Sequence, residues 1–205
     1  MGDERFDGQI IGFGTASGTR VVVGDWWASP FGRFADVMVE RPDGHRVLVA
    51  PPDVAEFVAA TYSFDEVVES SVVSDAVPAL GPASRPQRLT VRAGPLTAVV
   101  RTGPRTPLGR AVRLVPARVA RSVGFARAVD PLARVLGLRT YGTAGSGRHE
   151  AYGATDVRRV LDVEARWDGA DLGALADVDP PVRFGFGSSP RRPCATRIVT
   201  TVRTR

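Results

Sequence analysis

The sequence predicts an α+β fold that is mainly antiparallel β-sheet, curled into a partial barrel, with a helical insertion at about residues 107–137. Three observations predict it. Short apolar runs alternate with polar residues at period two in the first and last thirds of the chain. Gly, Pro and Asp-Gly turn signals separate those runs, and the period becomes helical in the 107–137 stretch. A length of 205 residues, with 43% hydrophobic and 24% charged residues, suits one folded domain (1–205) better than a disordered chain.

Residues 9–13 and 20–23 read as a hairpin around Gly14-Thr15-Ala16-Ser17-Gly18. A second hairpin joins 34–41 to 46–50 through Pro42-Asp43-Gly44-His45, where Asp-Gly supplies the positive φ angles of a tight turn. Between the two, the stretch from Asp25 through Trp26 and Trp27 to Gly32 reads as an aromatic connection kept irregular by Pro30 and Gly32. Asp53 is the expected N-cap of a short helix reaching Tyr62, because Val54, Phe57, Val58 and Tyr62 recur near helical spacing. A strand at 66–73 follows. The segment 76–87, with three prolines, is the candidate internal connector. Strands at 88–93 and 96–102 then flank Gly94-Pro95.

At about 100° per residue, Leu108, Val112, Val115, Val119 and Val123 share one arc, and Arg110, Arg113, Arg118 and Arg121 share the opposite one. Pro116 interrupts the pattern, so two helical pieces are expected rather than one rod. Asp130-Pro131 matches an N-cap and N1 pair for the second piece, and Gly137 its C-terminal stop. In the last third Val157, Leu161, Val163, Ala165 and Trp167 hold odd positions while Arg158, Asp162, Glu164 and Arg166 hold even ones. Val182, Phe184 and Phe186 alternate likewise and are expected to pair with 198–202 in a closing hairpin.

All 27 basic residues are Arg. Without lysine the chain can form no lysine Schiff base and has no Walker-type phosphate-binding lysine, so those enzyme classes are excluded. Neither glycine run, 12–18 nor 142–147, stands between a strand and a helix as a phosphate cradle requires, and both read as turns. The lone Cys194 cannot form an internal disulfide, and no metal-ligand spacing surrounds it, so neither a metal nor a cofactor is expected. An acidic N-terminal stretch and the lack of any apolar run of about 18 residues point to the cytoplasm and to no transmembrane segment.

Charge lies in blocks. Residues 1–75 hold 13 acids and 5 Arg, whereas 76–129 hold ten Arg and no acid, and the last 26 residues carry six Arg and no acid. The basic blocks either face acidic segments of the same fold or form a face for an anionic partner.

The run GDWWASPFGRFADVMVERPDGHRVLVAP (residues 24–51) resembles uncharacterised proteins of actinobacteria, in keeping with the use of Arg for Lys. That resemblance implies no known activity. A β-rich chain with a helical insertion also invites comparison with acetoacetate decarboxylase-like proteins, but their lysine chemistry is absent here and that family is not adopted.

Three functions follow as expectations. The first is binding of a small apolar or anionic ligand, with Trp26 and Trp27 meeting the apolar face of Val112, Val115 and Val119 while Arg110 or Arg113 holds an anionic head group. The second is a basic module for nucleic acid or an acidic protein; against nucleic acid, residues 85–127 hold a single aromatic, Phe125, for base stacking. The third is an enzyme using His149, which Glu150 stands beside to orient, or a carboxylate. His45 is expected at the surface, Cys194 as an adventitiously placed thiol, with activation by nearby guanidinium groups as the alternative, and Asp162 with Glu164 on a charged strand face.

Overall fold

Alternating β-branched and aromatic residues give β1 (Asp3–Thr15) and β2 (Arg20–Ala28), then β3 (Phe34–Glu40) and β4 (Arg46–Ala50). A computed structural model describes residues 3–76, 87–135, 138–143, 147–185 and 189–203. The β3–β4 hairpin turns at Gly44, whose φ of 88° only glycine adopts without strain. After α1 (Pro52–Ala59) the chain continues through β5 (Glu66–Glu69), β6 (Val72–Ala76), β7 (Gln87–Ala93) and β8 (Leu96–Arg105). Three helices follow, α2 (Pro107–Val112), α3 (Ala117–Ala120) and α4 (Val123–Val135). The remaining strands are β9 (Tyr141–Thr143), β10 (His149–Trp167), β11 (Ala170–Asp171), β12 (Leu175–Ala176) and β13 (Cys194–Arg203).

All strands belong to one sheet, whose main path is β5-β4-β3-β2-β1-β13-β10-β8-β7-β6. Every pairing is antiparallel except β4 with β5, which α1 connects as a parallel crossover. β5 and β6 stand at opposite ends of that path, yet only Ser70 and Ser71 separate them in the chain. Three Cα steps span at most about 11 Å, so the sheet must curl until its two edges nearly meet. The inside of the curl is the main core: Ile11, Phe13, Val21, Val37 and Val47 from the first half pack with Leu89, Leu96, Val100 and Val163 from the second. Strand makes up 52% of the described residues and helix 17%, so the fold is mainly β and the helices are a minor addition to it. Among the described residues no helix is long and apolar enough to cross a membrane.

Several expectations are corrected. Trp26 and Trp27 lie within β2, not in a connection, and therefore face opposite sides of the sheet. The 66–73 stretch is two strands, broken at Ser70-Ser71 where the chain passes from one sheet edge to the other. Pro51 and Pro52, not Asp53, open α1. The helical insertion has three pieces because Pro116 is held outside helical geometry as the N-cap of α3, and Ser122 Oγ then accepts from Phe125 N at 3.2 Å to start α4. Asp130-Pro131 starts no helix. It lies inside α4, where buried Asp130 accepts from the amides of Thr140 (2.8 Å) and Tyr141 (3.0 Å) and from Arg134 (2.7 Å), tying the helix to β9. No hairpin joins 182–184 to β13; β13 runs instead between β1 and β10, each of which has a whole edge to offer it. Gly137, Phe186 and nearly all of the 76–87 connector fall outside the described residues.

Candidate functional site

The even-numbered residues of β1–β4 form the outer face of the sheet. Phe6 and Ile10, Val22 and Trp26, and Phe34 and Met38 make an apolar floor on it. Phe57 and Val58 of α1, Tyr62, and Val182 with Phe184 lie over this floor. Between floor and cover is a cavity with about 810 Å³ of empty space, part of it open to solvent. About 90 Å³ of it admits the centre of a water-sized molecule. One water needs about 10–15 Å³ by that measure, so there is room for several waters or a small organic molecule.

Two carboxyl groups face this apolar space. Asp36, in the middle of β3, accepts from Trp26 Nε1 at 2.8 Å, its one hydrogen bond among the described residues. Gly24 stands opposite it on β2, and a Cβ there would collide with both the Asp36 carboxyl and the Trp26 indole. The glycine is thus the clearance that lets the pair form. Burial pushes the Asp36 carboxyl up to about 7, against a smaller lowering by the indole N–H.

Glu150, near the start of β10, is fully buried. Tyr62 donates to its Oε1 at 2.8 Å and Tyr152 to its Oε2 at 2.7 Å, and the two phenolic oxygens are 3.0 Å apart. Burial raises the Glu150 carboxyl, against the two tyrosine bonds and the charge of Arg148. The Tyr62 phenol is driven well above its ordinary value, by burial first and Glu150 next. Counting protons points the same way. Three groups make three contacts: with Glu150 ionised the two phenols donate to it and their own contact has no hydrogen, whereas a protonated Glu150 donates to one phenol, which donates to the second, which donates back to the carboxyl. A carboxylic acid kept neutral by an apolar site can donate a hydrogen bond.

Two further polar atoms lack partners. Thr200 Oγ1, on a residue 4% exposed, and Ser189 Oγ are buried at the cavity wall with no hydrogen bond among the described residues. Buried hydroxyls are ordinarily satisfied, so these two are candidate contacts for a ligand or water. A second cavity of about 590 Å³ adjoins the first, sharing Ile10, Tyr152 and Ser189 and walled by Leu108, Leu138 and Arg139.

The residues singled out from the sequence are dispersed. Trp26 lines the main cavity, but Trp27 faces the other side, beneath the guanidinium of Arg197 at 4.8 Å. Arg110 and Arg113 are exposed on α2 and just after it, Val112 and Val115 are half-buried, and Val119 is 44% exposed; none of these five is among the residues lining the main cavity. His149 is half-buried, with its ring 6.1 Å from that of Tyr141. Adjacent residues in a strand point to opposite faces, so Glu150 turns away from His149 instead of orienting it. Cys194 is buried at the start of β13, and burial raises its thiol, which goes against the alternative of activation by guanidinium groups. His45 meets Glu66 at 3.0 Å, and Arg101 of β8 spans Asp162 (3.6 Å) and Glu164 (2.8 Å) as a cross-strand surface cluster. Among the described residues no three His, Cys, Asp or Glu side chains gather as metal ligands.

Comparison with protein-family models, with curated proteins and with solved structures finds no match. The reading of the site therefore rests on its own chemistry. Sequence reasoning missed Asp36, Glu150, Tyr62, Tyr152 and Thr200. The one available signal was a carboxyl at Asp36 on the same strand face as Phe34 and Met38.

Proposed function

We propose that this protein binds a small, mostly apolar, neutral molecule bearing a hydrogen-bond-accepting oxygen, in the cavity over the outer face of β1–β4. The Thr200 hydroxyl carries the reading: it is a buried donor with no hydrogen-bond partner among the described residues, on a cavity with aromatic walls, and the Glu150–Tyr62–Tyr152 triangle beside it is a polar wall whose hydrogens serve one another. The charges favour a neutral ligand over an anionic one, because among the described residues the lining holds two carboxyls and no Arg. The cytoplasm is the compartment we propose, on the single cysteine, which allows no internal disulfide.

In a Trp27→Phe/Trp167→Phe variant Trp26 is the sole tryptophan and reports on the cavity floor. Neutral ketones and lactones should change its emission at tens of micromolar at neutral pH, while carboxylic acids of matched size should not. Tighter binding of the acids, or no response to any compound, would sink the proposal.

One observation favours a second reading, acid–base chemistry on such a ligand: a carboxyl pushed up to about 7 divides between its two forms at neutral pH. In that reading the Asp36 carboxylate takes a proton from the carbon beside a ligand carbonyl, the electron pair moves onto the carbonyl oxygen, and the Thr200 hydroxyl donates to that oxygen. The proton then returns to carbon. In D₂O the protein should catalyse deuterium exchange at that carbon and Asp36→Asn should abolish it; exchange equal in both proteins would leave binding as the sole function.

A further inference from the structure

Helix α4 turns its less apolar side to the protein. At 100° per residue Ala126, Asp130 and Ala133 share one side. Ala126 and Asp130 are buried and Ala133 half-buried. The opposite side carries Leu132 and Val135, 68% and 81% exposed, with Gly124, Ala128 and Pro131 exposed between them. Leu114, just beyond α2, is 86% exposed. Large aliphatic side chains this bare, gathered on one helical excursion, mark an interaction surface.

The charge around them is of one sign. Residues 107–129 contain no acid. Arg110, Arg113, Arg118 and Arg127 are exposed and have no acidic partner among the described residues, whereas Arg101, Arg105 and Arg121 pair with Asp162 and Glu164, Asp156 and Asp7 respectively. Three of the ten arginines of the block are thus absorbed by ion pairs, and four without an acidic partner among the described residues lie on the same excursion as the exposed aliphatic groups.

We propose that the α2–α4 excursion docks on an anionic lipid surface, with Leu114, Leu132 and Val135 entering the boundary between headgroups and acyl chains and the four arginines meeting lipid phosphates. An outward apolar stripe flanked by arginine is the pattern of a helix lying in a membrane interface. Nucleic acid would use the arginines but gain nothing from Leu132 and Val135, and Phe125 is the sole aromatic of residues 85–127. A second copy placed isologously would set the same arginines face to face, and like charge opposes that contact. The second cavity is walled in part by Leu108 of α2 and by Leu138, three residues beyond α4, so the excursion that would meet a bilayer also borders space next to the one proposed for an apolar ligand. That last point rests on the ligand reading; the docking face does not.

The test is co-sedimentation of the whole chain with vesicles of pure phosphatidylcholine and of phosphatidylcholine with roughly one-third phosphatidylglycerol, at about 0.1 M and about 0.5 M salt. Binding should require the anionic lipid and be lost at the higher salt. Arg113→Ala/Arg118→Ala/Arg127→Ala and Leu132→Ser/Val135→Ser change exposed side chains only, so their melting temperatures should match the parent while each lowers the partition coefficient about tenfold or more. Equal binding to both vesicle types, or to neither, overturns the proposal. So does duplex DNA binding that Leu132→Ser/Val135→Ser retains, which assigns the arginines to nucleic acid. Dimerisation that the same variant abolishes overturns it as well, assigning the stripe to a second copy.

Discussion

Raising the pH from about 4 to about 7 should destabilise this protein by roughly 4 kcal/mol, the reverse of ordinary acid denaturation. Burial lifts the Asp36 carboxyl from 3.8 to about 7 in the folded state, and each pKa unit is worth about 1.4 kcal/mol. Across that window the folded protein holds a proton that the unfolded chain has already released. The stabilisation is complete below the unfolded value and is lost as pH rises through the folded one. Burial of Glu150 adds in the same direction. Asp65 opposes it at lower pH: the Arg46 guanidinium and amide hold its carboxyl far down, so its contribution is present above the ordinary carboxylate range and lost as pH falls through the depressed value. Maximum stability should therefore lie near pH 4–5. Urea midpoints measured across the window should fall with rising pH in the parent, and the slope should flatten in Asp36→Asn, whose amide oxygen still accepts from Trp26. Midpoints that rise with pH would mean that cavity water solvates Asp36 as an ordinary carboxylate.

Glu40→Ala should cost about 3–5 kcal/mol, because it leaves a buried guanidinium uncompensated. Glu40 has no exposed surface and Arg20 is 3% exposed; they pair at 3.2 Å on the outer face of β2 and β3. Arg20 also reaches the carbonyls of Pro180 (3.2 Å) and Arg41 (3.3 Å), which do not neutralise its charge. The same carboxylate accepts from Arg183 N at 2.7 Å and Arg183 Nε at 2.8 Å, anchoring the segment that carries Val182 and Phe184 over the cavity. Loss of Glu40 should thus weaken ligand binding as well as folding. Arg20→Leu/Glu40→Leu should recover most of the stability, since two apolar groups leave no charge unpaired. A chemical denaturation series checks this: a single variant within about 1 kcal/mol of the parent would show that water reaches Arg20.

The sheet was legible wherever one face of a strand meets solvent. In β10 Val163 and Ala165 are buried while Glu164 and Arg166 are exposed, as the alternation in the sequence predicts, but it breaks at the register shifts on either side of Val160, where Leu161 is 53% exposed and Arg158 and Val160 are buried. It fails in β3, where Val37 and Val39 face the main core and Phe34 and Met38 face the cavity, so both faces are apolar and Asp36 looks like an accident within an apolar run. Trp26 and Trp27 were read as a connection for a related reason. Gly24, Ser29 and Pro30 around them resemble loop residues, but Gly24 is there to clear the Trp26–Asp36 contact. Tyr62 and Glu150 stand 88 residues apart, and no local pattern could pair them. In the helices, Asp130-Pro131 has the local form of a helix start, and only the distant amides of Thr140 and Tyr141 show what that carboxylate serves.

The position of β13 governs how such a sheet is assembled. Its register with β1 joins Asp3 to Arg203, and its register with β10 joins His149 to the same residue, so one strand seams two half-sheets. On an emerging chain β1–β5 and β6–β10 can each form from nearby pairs, but both present a long open edge until residues 194–203 arrive. Closing that seam joins residues nearly the whole chain apart, which places the slowest and entropically costliest step at the end of folding. In the interval the edges of β1 and β10 are bare templates for pairing with another chain, and the alternating face of β1, with Ile11 and Phe13, is what such an encounter would bury.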